Sequence, residues 1–581
     1  MNYPLVFRFL GTVCHILGVS MLFSLPWAHP ALGGAWDNER SGAIGLIASM
    51  AICFVIGFLL RFLGRAASES FSRKEATAIV ALSWILATIL GTLPFLLSGA
   101  ERMEGVPVSV CDALFESQSG FSTTGATIFG ELERPDLLPR CILFWRSTTH
   151  FLGGLGIMVL FVALLGHGTF GKTMMRFEWS GKSSPRERMQ LLAKALLKIY
   201  VALNVILTVA LVLQGLTFFD ALCHSFGTVA TGGFSTFNAS VGHFAAEGYS
   251  CAAGIEWTLI LFMFIGGTNF VLLYWCAVRQ PGRLFHNTEW RVYLGVMCIA
   301  TFLIVCGGMH NDDFDNYGTT DTPIFRSTPP QVDPLLVERD QEYEEEVFHT
   351  LPADALSDRE PMPVFMAIRT VTFQVVSLMT TTGYVTDEYE KWNGFSCGIF
   401  LLIMFIGGCA GSTSGGFKVL RVVSIWKLLP LEIEKAYRPN VVRSLLIDGM
   451  PVEKDVLERI LVHFAVMTVV FVVGTLFVLA LEPASTWGLV HVVGDRKLID
   501  SASAVASCMN NVGPGLGLIG ARENFGNFSE PSKFLFAGLM MLGRLEFFVI
   551  LSLFHRGFWG GGWRKPFAAV SSSSDDHTDA Q

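Results

Sequence analysis

Apolar runs of bilayer-crossing length recur along the whole chain: 5–28, 43–63, 76–97, 141–165, 191–213, 257–278, 292–306, 395–406 with its continuation, 456–481 and 534–554. A spanning helix needs about 20 apolar residues, so the pattern predicts about ten membrane helices. Segments rich in Lys and Arg separate them at 61–74, 172–188, 279–291, 418–454 and 556–565. These basic connections alternate with others, which places them in the cytoplasm and both termini with them. Each outer connection apart from the first contains an extra half-hydrophobic segment too short to cross. Such segments are expected to dip in and return, and irregular backbone at membrane depth survives only where protein buries it or it lines an aqueous path.

The dipping segments resemble one another, the internal repetition that identifies repeat architectures. Cys111 to Ser117 leads to Ser122-Thr123-Thr124-Gly125-Ala126-Thr127, and Phe219 to Ser225 leads to Ala230-Thr231-Gly232-Gly233-Phe234-Ser235. A third copy runs from Thr370 to Thr380-Thr381-Thr382-Gly383-Tyr384, and a fourth from Asp500 to Asn510-Asn511-Val512-Gly513-Pro514. The helices that follow carry Gly153-Gly154, Gly266-Gly267, Gly407-Gly408 and Gly543-Arg544 at comparable depth. The expected fold is an all-α polytopic membrane protein of four pseudo-symmetric repeats of helix, re-entrant pore loop and helix around one pore, plus two peripheral N-terminal membrane helices. The divisions are 1–74 for the N-terminal pair, 75–189, 190–290, 291–454 and 455–570 for the repeats, and 571–581 for a disordered tail.

Each dipping segment reads as a short helix entering from outside, with Asp112, Asp220 and Asp500 near its start, where a carboxylate complements the helix dipole. Four such C-terminal ends aimed at one axis favour a cation between them. The Thr-Thr-Gly stretch that follows supplies carbonyls, since glycine reaches the positive φ needed to turn successive oxygens inward. Four such strands make an oxygen cage of the kind that selects potassium.

With these motifs in view, the whole chain resembles the Trk/Ktr/HKT superfamily of potassium transporters, most of all its bacterial TrkH branch, which has two additional N-terminal spans. The resemblance implies a selectivity filter at Thr123-Thr124-Gly125, Ala230-Thr231-Gly232, Thr381-Thr382-Gly383 and Asn511-Val512-Gly513. Potassium is then expected at Thr124, Gly125, Thr231, Gly232, Thr382, Gly383, Val512 and Gly513. Serine at the first glycine accompanies sodium transport in plant relatives, and this chain has Gly125. The stretch Gly407-Gly408-Cys409-Ala410-Gly411-Ser412-Thr413-Ser414-Gly415-Gly416 cannot make a good helix. It matches the intramembrane gating loop of TrkH-like proteins, with Lys418 and Arg421 at its cytoplasmic end; the alternative is a close helix contact through small residues. A nucleotide P-loop is excluded, since no Ser or Thr follows Lys418 and no strand precedes the glycines. Arg544 lies within an apolar stretch, where an ionisable group faces a bundle interior or a wet cavity. The resemblance implies that it approaches the gating loop; the other reading is a structural pair with a carboxylate. Arg146 and Arg369 are assigned to the outer interface in structural roles.

Composition narrows the remaining choices. Of 581 residues 51% are hydrophobic and 15% charged, with a mean hydropathy of +0.50, which leaves no room for a soluble catalytic domain. The formal charge of −8 is unevenly placed, with many acids at 310–362 in the outer connection before the third dipping segment. That insert is either an acidic funnel that concentrates cations or a solvated disordered segment. The first apolar run reads as a retained span, because no clear small-residue cleavage site ends it. The twelve cysteines show neither paired nor metal-ligand spacing. An enzyme would need a cluster of polar catalytic groups at one membrane face, and the sequence offers none. The expected function is gated, channel-like potassium uptake across a bacterial inner membrane; a sodium-permeable pore or a proton- or sodium-coupled symporter is the alternative. Potassium is the transported ligand, with no covalently bound cofactor and no nucleic-acid partner. The resemblance implies a homodimer in the lipid bilayer whose cytoplasmic face binds a TrkA-like nucleotide-binding regulatory subunit.

Overall fold

The computed structural model describes residues 1–32, 36–66, 73–165, 185–310, 364–441, 443–487, 494–545 and 547–559. The acidic insert 310–362, apart from its first residue, and the tail 571–581 lie outside the described residues. Among the described residues the fold is helical, with two short antiparallel hairpins, Glu101–Met103 with Val106–Pro107 and Leu446–Ile447 with Met450–Pro451. Six described helices are long and apolar enough to span a bilayer, so the chain is a multi-pass membrane protein.

The N-terminal helices Tyr3–Leu22 and Trp36–Leu63 pack on each other and on the helices Arg73–Leu97 and Arg140–Leu165 of the first repeat. Glu39 joins the two regions, its carboxylate accepting from the backbone N–H groups of Arg140 and Cys141 (2.5 and 3.0 Å). Those N–H groups belong to the first turn of a helix and lack intrahelical partners, so a buried carboxylate caps them.

Four re-entrant helices stand inside this frame: Val110–Phe121, Phe218–Val229, Val364–Met379 and Gly494–Asn510. The first starts with a reciprocal capping box between Ser109 and Asp112, and the second with the Thr217 hydroxyl accepting from the Asp220 N–H. These local bonds satisfy part of the first-turn donors of a helix of only three turns. Asp500 departs from the expectation, because its helix begins six residues earlier, at Gly494, and the carboxylate sits mid-helix.

The helices after the re-entrant loops also depart from expectation. The sequence places one interruption, in the third repeat. The structure breaks the second repeat as well, where Ala252–Gly266 and Phe270–Ala277 meet at 105°, and the fourth, where Glu530–Leu545 and Phe547–Phe554 meet at 116°. The physical reason in the second repeat is Asn269, whose side chain accepts from the Val271 N–H (2.8 Å) and caps a new helix after Gly266-Gly267. The first repeat keeps a continuous helix, Arg140–Leu165. The twelve cysteines are all free.

Candidate functional site: a fourfold backbone ring and the loop beneath it

Each re-entrant helix ends in the same way. Thr123, Thr231, Thr381 and Asn511 adopt left-handed conformations (φ 50°, 53°, 55° and 57°). Their N–H groups donate to the carbonyls of Gly120, Thr228, Leu378 and Cys508, each three residues back. The next N–H, of Thr124, Gly232, Thr382 and Val512, donates five residues back to Ser119, Gly227, Ser377 and Ser507 (2.9, 2.7, 2.9 and 3.0 Å). The five-back bond is the signature of a Schellman cap, with threonine or asparagine where glycine is usual. A β-branched residue in the left-handed region is strained, and three of the four copies carry one, with asparagine in the fourth.

One residue further, Gly125, Gly233, Gly383 and Gly513 have φ of 82°, 77°, 80° and 103°. The second repeat is therefore offset by one from the sequence reading. Gly233, not Gly232, matches Gly125, and Ala230 is the helix C-cap, equivalent to Ser122. The doublet Gly232-Gly233 offered two registers, and the position of the left-handed residue chooses between them.

The four strands close on one another. A β-carbon at Gly125 would collide with the Gly232 carbonyl oxygen, one at Gly233 with that of Thr382, one at Gly383 with that of Val512, and one at Gly513 with that of Thr124. Each glycine backs onto the carbonyl of the next repeat, in the order one, two, three, four, one. Side chains at these positions are excluded twice, by backbone conformation and by the neighbouring strand. The arrangement leaves four carbonyls from equivalent positions, Thr124, Gly232, Thr382 and Val512, around one axis.

Polar contacts lock each junction of the ring. Between the first two repeats, Arg146 pairs with Glu116 (2.5 Å), donates to the Ser235 carbonyl (2.9 Å) and stacks on Phe234. Between the second and third, Arg369 pairs with Glu256 (2.8 Å) and the Tyr384 hydroxyl donates to the His224 carbonyl (3.1 Å). Tyr389 donates to the Gly515 carbonyl (2.8 Å) between the third and fourth, and Lys533 pairs with Asp112 (2.6 Å) between the fourth and first. Arg146 is 1% exposed.

The strand beyond each glycine is braced by a different side chain of its own re-entrant helix. The Glu116 carboxylate accepts from the Ile128 N–H (3.0 Å) and the Thr127 hydroxyl (3.1 Å), His224 bonds to the Ser235 hydroxyl (3.1 Å), Gln374 contacts Thr386, and the Ser503 hydroxyl accepts from the Leu516 N–H (3.2 Å). The sequence reading missed these residues. The only available signal was a polar group near the middle of each short amphipathic helix.

Below the ring lies the glycine-rich segment of the third repeat. The helix Gly394–Met404 stops and Val419–Tyr437 resumes; between them the Gly407 N–H donates to the Phe417 carbonyl (3.1 Å) and the Val419 N–H to the Gly408 carbonyl (3.2 Å). The loop is thus pinched at its neck. Its body reaches three repeats: the Gly415 N–H donates to the Thr381 hydroxyl (2.7 Å), the Thr413 hydroxyl to the Gly266 carbonyl (3.0 Å), and Arg544 Nη1 to the Thr413 carbonyl (2.6 Å). Gly411, through its carbonyl, accepts from Phe270 N–H (3.1 Å), and Ser414 Oγ from Gly408 N–H (2.9 Å). Ser412 folds back onto the Cys409 carbonyl (2.6 Å) and Gly416 turns the chain at φ 68°. The loop therefore fills, with backbone, the space left by the break at Gly266-Gly267. Arg544 is 4% exposed, and its Nε and Nη2 have no hydrogen-bond partner among the described residues. Lys418 Nζ donates to the Ser414 carbonyl.

Comparison with known proteins places the chain. A family model described as TrkH, cation transport protein, matches residues 45–306 and 347–557. The Trk system potassium uptake protein TrkH of Escherichia coli is 32% identical over 513 residues, 87% of this chain and 90% of that protein. Its namesake from Vibrio parahaemolyticus is 30% identical over 558 residues, covering 94% of this chain and 99% of that one. The crystal structure of the potassium transporter TrkH from Vibrio parahaemolyticus superposes with a TM-score of 0.75 at 27% identity, over 96% of this chain and 100% of that chain.

Proposed function

The chain belongs to the TrkH family of cation transport proteins, and on that premise we propose that it takes up potassium through the ring of strands, with the loop 407–416 as its gate. The observation that carries the reading is the closure of the ring. Carbonyls of Thr124, Gly232, Thr382 and Val512 come from equivalent positions, and each is backed by a glycine of the preceding repeat. Such carbonyls replace the hydration of a cation, and their number and spacing discriminate potassium from sodium. The ion-binding positions are those expected from the sequence in the first, third and fourth repeats, and in the second they shift by one to Thr231, Gly232 and Gly233. The loop obstructs by occupying the path, while Arg544 adds a positive charge where screening is weak.

The finer assignments complete the proposal. Residues 1–74 form the N-terminal pair, and 75–189, 190–290, 291–454 and 455–570 the four repeats. The chain sits in a bacterial inner membrane with both termini cytoplasmic, as the alternation of basic connections requires. A homodimer and a TrkA-like nucleotide-binding partner on the cytoplasmic face complete the assembly; the Trk system names of the relatives support a multi-component transporter.

Ion flux in proteoliposomes under separate potassium, sodium and proton gradients tests the function. Potassium flux that follows its own gradient, unaffected by the others, is expected; flux driven uphill by sodium or protons replaces the channel with a symporter. In the same assay Gly125→Ser should lower the potassium-to-sodium ratio. An unchanged ratio in a folded variant removes the ring from the selectivity mechanism.

A further inference from the structure

Three arginines converge at one end of the N-terminal helix pair. Arg8 comes from the first helix, Arg61 from the last turn of the second, and Arg65 lies just beyond it. The helices approach closely because glycines face the contact: a β-carbon at Gly64 would lie 2.7 Å from the Arg8 backbone, and one at Gly11 would lie 2.7 Å from the Gly57 carbonyl oxygen. Where they part, a recess of about 450 Å³ opens, lined by the three arginines with His15, Phe58 and Phe62.

Among the described residues the three guanidinium groups have no carboxylate partner. None forms an ion pair among the described residues, whereas the equally exposed Arg134 pairs with Glu104 and Asp136 (2.7 and 2.6 Å) and Arg443 with Glu434 (3.0 Å). Arg65 instead rests over the Phe62 ring, 4.5 Å from its centroid. Positive charge at this end of a span follows from topology alone, but topology does not require charges from two helices to meet around one cavity. Phe58 and Phe62 are 66% and 53% exposed, on the surface that faces lipid at the end of the apolar span Asn38–Leu63. Cations at headgroup depth beside an apolar wall match a molecule with a phosphate at one end and acyl chains at the other.

We propose that this recess binds an anionic phospholipid, with Arg8, Arg61 and Arg65 on its phosphate and Phe58 and Phe62 along the upper part of its chains. Guanidinium groups suit phosphate because their paired N–H donors match its oxygens, and basic pockets between membrane helices recognise anionic headgroups in this manner. The bound lipid would clamp the two helices on the side of the basic segment 61–74. The proposal rests on these helices crossing a membrane and is independent of the ion transported.

The test uses the full chain reconstituted in bilayers of equal phosphatidylglycerol and phosphatidylcholine, with retained lipids counted by native mass spectrometry. The wild type should retain phosphatidylglycerol in preference. Arg65→Gln should reduce that preference roughly fivefold, from about 1 kcal/mol per cation near an anionic surface, and the triple change Arg8→Gln, Arg61→Gln, Arg65→Gln should abolish it. The triple change Arg8→Lys, Arg61→Lys, Arg65→Lys should keep most of it, which separates charge from folding. Equal retention of the two lipids by the wild type, or an unchanged preference in the glutamine variants, overturns the proposal. Displacement of the lipid by millimolar inorganic phosphate assigns the recess to a free anion and overturns it as well.

Discussion

Above the level of the re-entrant helix ends, four strands repeat one set of backbone hydrogen bonds and one pair of positive-φ positions; below it, the four following helices take different courses. One is continuous, one bends by 105°, one bends by 116°, and one opens into the loop at 405–418. The difference follows from what each half does in the proposed function. A coordinating ring needs equivalent oxygens from every repeat, so a change in one strand spoils the whole, whereas closing a path needs only one obstacle. Divergence is therefore concentrated where symmetry has no chemical purpose.

The largest expected effect tests the offset of the second strand. Gly233→Ala should cut potassium flux by about tenfold or more, because a β-carbon meets both an unfavourable φ and the Thr382 carbonyl. Gly232→Ala has no such φ and meets first the His150 side chain rather than a backbone carbonyl, so its loss should be smaller. Flux normalised to inserted protein compares them; the reverse order would restore Gly232 to the position of Gly125.

The symmetric half should also be the less forgiving in stability. Glu116→Ala strips the carboxylate from Arg146 and from the Ile128 N–H, and leaving a buried cation unpaired costs about 3–5 kcal/mol. A detergent melting curve should shift down strongly. Thr413→Val removes hydroxyl bonds in the loop and should cost about 1 kcal/mol. Equal losses would mean that the two halves are equally constrained.

Changes in the asymmetric half should raise flux rather than lower it. Arg544→Ala, or removal of Gly411 to Gly415, should increase potassium flux in the absence of a regulatory partner by a few-fold. Combined, they should add less than their separate effects, because Arg544 holds the loop through the Thr413 carbonyl. Single variants that insert normally and keep parental flux would make the loop structural.

The smallest effect concerns the outer rim of the ring, at Glu390. Burial pushes its carboxyl up to about 7, above the ordinary value of 4.5, so the folded state holds a proton that the unfolded chain releases. This contribution to stability is full below pH 4.5 and is lost as the pH rises through 7. Glu390→Gln retains an oxygen to accept from the Ala521 N–H and cannot ionise. It should raise the melting temperature over the parent by on the order of 2 °C at alkaline pH, with the gain vanishing in acid. A gain that is independent of pH would assign the effect to something other than ionisation.

Much of the plan is legible in the chain alone because it is local. Apolar run length shows the spans, basic connections alternate, and glycine at a fixed distance from a polar helix start marks each strand. Ten small residues after Ile406 cannot continue a helix wherever they are placed. What was misread depended on choices that local chemistry leaves open. Gly232 and Gly233 are equally able to take a positive φ, and Asp500 looks like an N-terminal carboxylate until its helix is seen to begin at Gly494.

The number and order of the repeats, their re-entrant helices and the glycines that only a close backbone approach can require were determined by the sequence itself. Tertiary structure decided the rest: which glycine of the doublet enters the ring, which carbonyl it backs, and where the second and fourth repeats bend. It also decided that Glu116, His224, Gln374 and Ser503 brace equivalent strands. Those outcomes depend on atoms far apart in the chain. Thr124 meets the strand of Asn511, and the left-handed Thr381 receives the Gly415 N–H from 34 residues along the chain. No local propensity encodes such contacts, since each repeat supplies the surface against which the next one is fixed.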